Sequence, residues 1–355
     1  MEVKVSLKEE LCQKPDYSNL GFGKYFTDYM LVMEYDEAKG GWCSAEIKAY
    51  GPVTLDPGAS VFHYGQATFE GLKAYKSKDG GITLFRSKDN FRRMNRSNAR
   101  LCMPALDVDF VNDALKQLVN LEKDWIPTEP NTSLYIRPFV IATESFLGVK
   151  PSAKYSLFII LSPVGTYYKG GLTPTSIYVE SEYARAAMGG TGEAKCAGNY
   201  AASLKPYVDA SKNGYSQVLF LDAEHKKYID EVGTSNAFFV IEGKIITPDL
   251  KGTILPGITR DSIIKIAKDL GYTVEERPIS IDEIIDASKD GRLDEAFASG
   301  TAAVISPIGK LTYKQEDIIV NNGEIGKISQ LLYDTLTGIQ TGKLEDKYSW
   351  VEKIN

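Results

Sequence analysis

Residues 164–175, Val-Gly-Thr-Tyr-Tyr-Lys-Gly-Gly-Leu-Thr-Pro-Thr, interrupt the chain between two stretches that both read as strands. Glycine loosens the backbone and proline removes a donor, so neither a helix nor a ladder strand continues through such a run. A chain of 355 residues also exceeds what one hydrophobic core ordinarily holds. The sequence therefore predicts two domains, residues 1–163 and 176–355, with 164–175 as the linker.

The first half alternates strand and helix signals. Trp42 to Tyr50 and Ile82 to Phe85 read as short strands. A helix over 88–102 follows, with Ser87 as N-cap and Pro104 beyond its end. After Asp109, Phe110, Ala114, Leu118 and Leu121 keep helical spacing up to Pro127. Ser133 to Ile141 and Lys154 to Ser162 are strands, the second nearly all apolar. In the second half, strands are expected over Ser176 to Glu182 and Val218 to Leu221. Phe238 to Ile241 and Lys244 to Ile246 form a hairpin turning at Glu242-Gly243. Thr259 is placed to cap a helix carrying Ile263, Ile266, Ala267 and Leu270, stopped by Gly271. Ser280 and Glu283 fit a capping box for the next helix. The mixture lacks strict βαβ repetition, which predicts an α+β fold.

Several function classes are disfavoured. The net charge of −6 leaves no broad basic face for nucleic acid or an anionic membrane, and Arg92 and Arg96 are ordinary solvated charges on a helix. Cys12, Cys43, Cys102 and Cys196 show no metal-ligand spacing, and His63 and His225 are the only histidines, so no metal site is expected. The first ten residues carry mixed charge without an apolar core, and no apolar run reaches the roughly 20 residues of a membrane span, so a cytoplasmic protein is expected.

The chemistry concentrates in Gly189-Gly190-Thr191-Gly192-Glu193-Ala194-Lys195-Cys196-Ala197-Gly198-Asn199-Tyr200. Glycines suit places where a backbone must come close to a ligand. An unprotonated lysine amine is the nucleophile that carbonyl chemistry needs. A phosphate-binding P-loop requires Gly before the lysine and Ser or Thr after it, and here these are Ala194 and Cys196. Cys196 itself reads as a small packing residue.

Further blocks follow in order: Tyr228-Ile229-Asp230-Glu231-Val232-Gly233-Thr234, then Gly252 to Arg260, then Ala298-Ser299-Gly300-Thr301-Ala302. Upstream stand Phe69-Glu70-Gly71-Leu72-Lys73, Phe91-Arg92-Arg93-Met94, Tyr135-Ile136-Arg137-Pro138 and Leu147-Gly148-Val149. This colinear set, covering nearly the whole chain, resembles the branched-chain amino acid aminotransferases of the fold-type IV pyridoxal 5′-phosphate enzymes. The resemblance implies a two-domain α+β fold like that of D-amino acid aminotransferase, with the cofactor at the domain interface.

It also implies roles. Lys195 matches the Schiff-base lysine and proton shuttle, Glu231 the acid on the pyridine nitrogen, and Tyr200 the partner of the ring oxygen. Arg93 matches the phosphate-binding arginine. Ile258 and Thr259 match backbone donors at a helix start, where the dipole favours an anion. Thr234 and Thr301 match hydroxyl donors, and Arg185 an arginine near the ring. Tyr64, Phe69, Tyr135 and Tyr167 match an apolar substrate wall that Val149 completes from a partner subunit, implying a homodimer. Thr301 and Ala302 match a turn that binds the substrate carboxylate. Arg137 matches a holder of 2-oxoglutarate, with a buried structural ion pair as its competing role. Some mammalian members carry a CxxC pair after this turn, whereas here the stretch is Ala303-Val304-Ile305-Ser306.

The implied activity is transfer of the amino group of leucine, isoleucine or valine to 2-oxoglutarate, giving branched 2-oxo acids and glutamate. It would serve branched-chain amino acid synthesis or degradation. A D-amino acid aminotransferase or an aminodeoxychorismate lyase is the alternative within the same fold.

Overall fold

The computed structural model describes residues 1–165 and 172–354. The chain packs as two units. Met1–Tyr167, Ala194–Ala197 and everything from Ile339 onward form the first, and Tyr168–Glu193 with Gly198–Gly338 form the second. The division differs from the expected one at two places: the lysine segment and the C-terminal tail both pack with the first unit. Backbone pairing is the reason in each case.

The first unit is built from β1 (Lys4–Val5), β2 (Tyr29–Asp36), β3 (Gly41–Ala49), a short helix α1 (Ser60–Tyr64), β4 (Ala67–Phe69), β5 (Leu72–Lys76), β6 (Ile82–Phe85), α2 (Ser87–Arg100), α3 (Val108–Leu121), β7 (Ser133–Ala142) and β8 (Lys154–Val164). The second holds β9 (Thr175–Glu180), most of α4 (Ala197–Ala202), α5 (Leu204–Lys212), β10 (Gln217–Leu221), β11 (Ile229–Val232), β12 (Ser235–Ile241), β13 (Lys244–Thr247), α6 (Ile258–Asp269), β14 (Val274–Glu276), α7 (Ile281–Lys289), β15 (Leu293–Gly300), β16 (Val304–Tyr313) and β17 (Glu316–Ile319). Helix α8 (Lys327–Gln340) then leads to β18 (Val351–Ile354).

In the first sheet the order is β1-β3-β2-β8-β7-β5-β6-β18, with β4 added on β7. The tail strand β18 joins because its backbone completes the open edge of β6, Ile354 opposite Ile82. One core gathers Leu31, Leu134, Ile136 and Leu157 of the sheet with Phe91 and Met94 of α2 and Val111, Leu115 and Leu118 of α3. Helix α3 shows the i, i+3, i+4 apolar spacing that such a face requires, whereas α2 buries Phe91 and Met94 beside the polar Asn90, Ser97 and Asn98.

The second sheet runs β11-β10-β9-β16-β15-β12-β13-β14, and β11 also pairs with β12. That extra pairing closes six strands into a barrel, so the backbones of β11 and β12 meet at the seam with Glu231 opposite Asn236. Closure removes the exposed strand edges that would otherwise need cover. Val179, Leu219, Phe239 and Ile308 from the strands pack with Ile281 and Ile284 of α7.

Several local expectations shift. Ser87 is the first residue of α2, and the N-cap is Arg86 in the left-handed region at φ 51°. The Ser87 hydroxyl instead donates to Glu352 at 2.6 Å. The next helix starts at Val108, because Asp107 accepts from the N–H groups of Asp109 and Phe110. Gly257, not Thr259, is the N-cap of α6. Only the Ser280 half of the capping box on α7 forms, accepting from Glu283 N, because the Glu283 carboxylate instead accepts from Arg277 at 2.6 and 3.1 Å. No helix among the described residues is long and apolar enough to cross a membrane.

Candidate active site

The first unit places Lys195 against an edge strand. Phe69 N donates to the Lys195 carbonyl at 3.0 Å, and Thr68 and Cys196 form an isolated bridge. From α2, Ser97 Oγ accepts from Lys195 N at 2.9 Å. The lysine backbone is thus pinned on both sides, and its Nζ stands 4.9 Å over the Phe69 ring. Loss of hydration, then the positive charge of Arg93, bring the amine pKa down to about 8, with Arg137 acting in the same direction and Glu70 and Tyr135 against it. A lysine so placed holds a usable fraction of neutral amine near physiological pH.

Arg93 lies buried on α2. Its Nε donates to Glu70 Oε1 at 2.8 Å and its Nη2 to Glu70 Oε2 at 2.7 Å, a two-point grip that fixes the plane of the guanidinium. Arg137, on β7, stacks between the rings of Phe69 at 4.9 Å and Tyr135 at 5.3 Å, and its Nη2 donates to the Tyr135 hydroxyl at 3.1 Å. Its Nε is buried without an acceptor, and among the described residues no carboxylate pairs with it. Gly71 permits the arrangement, since a Cβ there would strike the Tyr135 hydroxyl.

Phe22, which sequence reasoning did not single out, meets Tyr135 edge-on at 4.9 Å. Its signal in the sequence is slight: a lone aromatic between Gly21 and Gly23, both at positive φ. Tyr64, at the end of α1, gives its hydroxyl to the Leu147 carbonyl, and Val149 nearby in sequence is 85% exposed in the single chain. Tyr167 lies outside the described residues.

The second unit builds around Glu231. This carboxylate is buried at the barrel seam, where Oε1 accepts from Asn236 Nδ2 at 3.0 Å and from Leu255 N at 3.1 Å. Arg185 Nε stands 3.0 Å from Oε2, with both side chains buried. Asn236 also donates to the Leu255 carbonyl at 2.9 Å, and Gly257 leaves room for its amide. Thus the strand that pairs with β11 also holds the loop leading to α6. Ile258 and Thr259 are buried at the start of α6, whose N-cap residue is Gly257. A helix start favours an anion through its dipole.

The turn holding Thr234 lies beside Gly300, whose Cβ position is 3.8 Å from the Thr234 carbonyl, so Thr234 and the Thr301-Ala302 turn sit at one end of the barrel. Tyr200 is half-buried on α4, where its neighbour Asn199 ties back to Thr191 by bonds of 2.6 and 2.7 Å. The glycine arc before Lys195 has a local purpose. A Cβ on Gly192 would collide with the Thr253 carbonyl, so this glycine admits the protein's own backbone.

These groups fit a definite set of ligand functions. In the first unit Lys195 suits an aldehyde and Arg93 an anion; in the second Glu231 suits a basic ring nitrogen and the start of α6 an anion. Comparison with known proteins gives the family. The model of the amino-transferase class IV family matches residues 67–311. A protein of Staphylococcus aureus strain N315 called "Probable branched-chain-amino-acid aminotransferase" is 59% identical over 98% of this chain and 97% of its own. The solved branched-chain amino acid aminotransferase of Escherichia coli aligns with TM-score 0.74 and 29% identity, covering 92% of this chain and 99% of that one. The branched-chain amino acid aminotransferase of Thermobaculum terrenum, solved in its PLP form, aligns with TM-score 0.73 and 25% identity over 92% of this chain and 98% of that one.

Proposed function

Because the chain belongs to the class IV amino-transferases, within the branched-chain amino acid group, we propose that it transfers the amino group of leucine, isoleucine or valine to 2-oxoglutarate with pyridoxal 5′-phosphate as cofactor. The observation that carries this reading is Lys195: an amine with its pKa near 8, its backbone pinned by Phe69 and Ser97. The substrate class is supported by what the related proteins are called.

When bound, pyridoxal 5′-phosphate supplies an electron-poor ring that lets an amino acid release its α-proton. Lys195 Nζ would hold the cofactor's aldehyde group and would move the proton at the substrate Cα. Glu231 keeps a proton on the ring nitrogen, and Asn236 and Leu255 N keep that carboxylate aimed. Tyr200 serves the ring oxygen. Arg93, Thr234, Thr301 and the N–H groups of Ile258 and Thr259 hold the phosphate. On the substrate side, Tyr64, Phe69, Tyr135 and Tyr167 exclude water around the aliphatic chain, with Val149 contributed by the second copy of a homodimer. The Thr301-Ala302 turn holds the α-carboxylate, and Arg137 takes the second carboxylate of 2-oxoglutarate. Leucine and 2-oxoglutarate would alternate at one site, which predicts ping-pong kinetics.

The test is a direct assay of the purified protein with pyridoxal 5′-phosphate. Leucine with 2-oxoglutarate should yield 4-methyl-2-oxopentanoate and glutamate, and Lys195→Ala should abolish both turnover and borohydride-trappable cofactor. Turnover of D-alanine or of aminodeoxychorismate in place of leucine would overturn the reading.

A further inference from the structure

Arg185 joins three stretches of the second unit that are far apart in sequence. Its Nη2 donates to the Gly192 carbonyl at 3.3 Å and to the Thr253 carbonyl, while its Nε faces the Glu231 carboxylate at 3.0 Å. The first partner lies three residues before Lys195, the second on the loop entering α6, and the third on β11. Two carbonyls and a carboxylate crowded together repel one another unless a cation sits among them. Gly192 shows that the crowding is built in: a side chain there would drive the Thr253 carbonyl away. A lysine has one point of charge to offer, whereas the planar fork of arginine reaches several acceptors at fixed angles.

The neighbouring Asp230 is tied to the same loop by a different bond. It is as buried as Glu231 and is bonded to the Thr253 hydroxyl at 3.1 Å. Burial pushes its carboxyl up to about 6, opposed first by the Thr253 hydroxyl and then by the charge of Arg185. The charge of Arg185 thus reaches both acids of the strand, Glu231 at 3.0 Å and Asp230 through space.

We propose that Arg185 is the positioning residue of this site, balancing the charge of Glu231 and tying the Gly189–Glu193 arc and the Thr253 loop to it, and so setting how tightly the ring of pyridoxal 5′-phosphate is held. The proposal rests on the cofactor reading.

The experiment measures the pyridoxal 5′-phosphate dissociation constant of the full-length apoprotein by absorbance titration, for wild type, Arg185→Met, Arg185→Lys, Glu231→Gln and the Arg185→Met/Glu231→Gln double variant. Each single variant should bind about tenfold or more weakly, as expected when one partner of a buried pair is lost. The double variant should be little worse than the weaker single one, because both changes act through one contact. The pH at which the bound cofactor's absorbance changes should also move in Arg185→Met, which a role in folding alone would not produce. Wild-type affinity and an unmoved absorbance midpoint in Arg185→Met, or losses that add in full, would overturn the proposal. Should Arg185→Met fail to fold, Arg185→Lys decides: folded with wild-type affinity, it overturns the proposal; folded with weak binding, it supports it. A wild-type protein that binds no pyridoxal 5′-phosphate would instead overturn the cofactor reading and the proposal with it.

Discussion

Glu70 holds Arg93 by both carboxylate oxygens, at 2.8 and 2.7 Å, with each side chain almost wholly buried. Removing the acid takes away the charge that balances a buried guanidinium. Glu70→Ala should therefore cost about 3–5 kcal/mol of stability, the range for breaking a buried pair on one side. Arg93→Lys should also weaken pyridoxal 5′-phosphate binding, since an ammonium cannot keep the two-point contact. Chemical denaturation and cofactor titration check the two effects separately.

Lys195 should react as a neutral amine far below the usual lysine range. Its pKa is near 8, lowered by lost hydration and then by Arg93. In the apoprotein, its modification by trinitrobenzenesulfonate should rise about tenfold per pH unit and level off above pH 8, because each unit below the pKa removes nine-tenths of the free amine. Peptide mapping across a pH series measures this. A midpoint near that of an ordinary solvated lysine would contradict it.

Arg137 faces aromatic rings and, among the described residues, no carboxylate of its own chain. If it receives the distal carboxylate of 2-oxoglutarate, Arg137→Ala should raise the KM for that substrate by about tenfold or more and leave that of leucine within about threefold, as loss of a charge-assisted bond to one substrate requires. Initial rates at fixed co-substrate read this. Equal losses on both sides would mark the arginine as structural.

Glu122 predicts a pH effect on stability outside the site. It is buried, accepts from Tyr29 N at 2.5 Å, and its pKa rises to about 7, chiefly through lost hydration. The folded state therefore holds this proton more tightly than the unfolded chain does. Its contribution is present in full below the unfolded pKa of about 4.5 and is lost as pH rises through 7. Glu122→Gln keeps an acceptor for Tyr29 without the charge, so its Tm relative to wild type should be higher at about pH 8 than at about pH 5. Calorimetry at both values measures the difference.

Much of this was legible in the sequence, and in a consistent way. The hairpin at Glu242-Gly243, the Ser280 cap and the strands flanking residues 164–175 appeared because each depends on neighbours in sequence. Strand β2 was missed because Tyr29 to Asp36 shows no clean alternation: five of its residues are buried in a row between β3 and β8. The start of α6 was misplaced for a similar reason. Thr259 is a good cap by type, but Gly257 is required where Asn236 presses against the backbone.

The chain's own order of residues determined which groups could do chemistry: a lysine among glycines, an acid before Gly233-Thr234, an arginine on an amphipathic helix. Only the tertiary structure decided what each of them experiences. Lys195 packs with the first unit because its backbone bonds Phe69 and Ser97, both far earlier in the chain. Glu231 is aimed by Asn236 across the barrel seam, and Arg93 is gripped by Glu70 from a neighbouring loop. Charge and hydrogen bonding act over a few ångströms of space, and a linear pattern does not carry that distance.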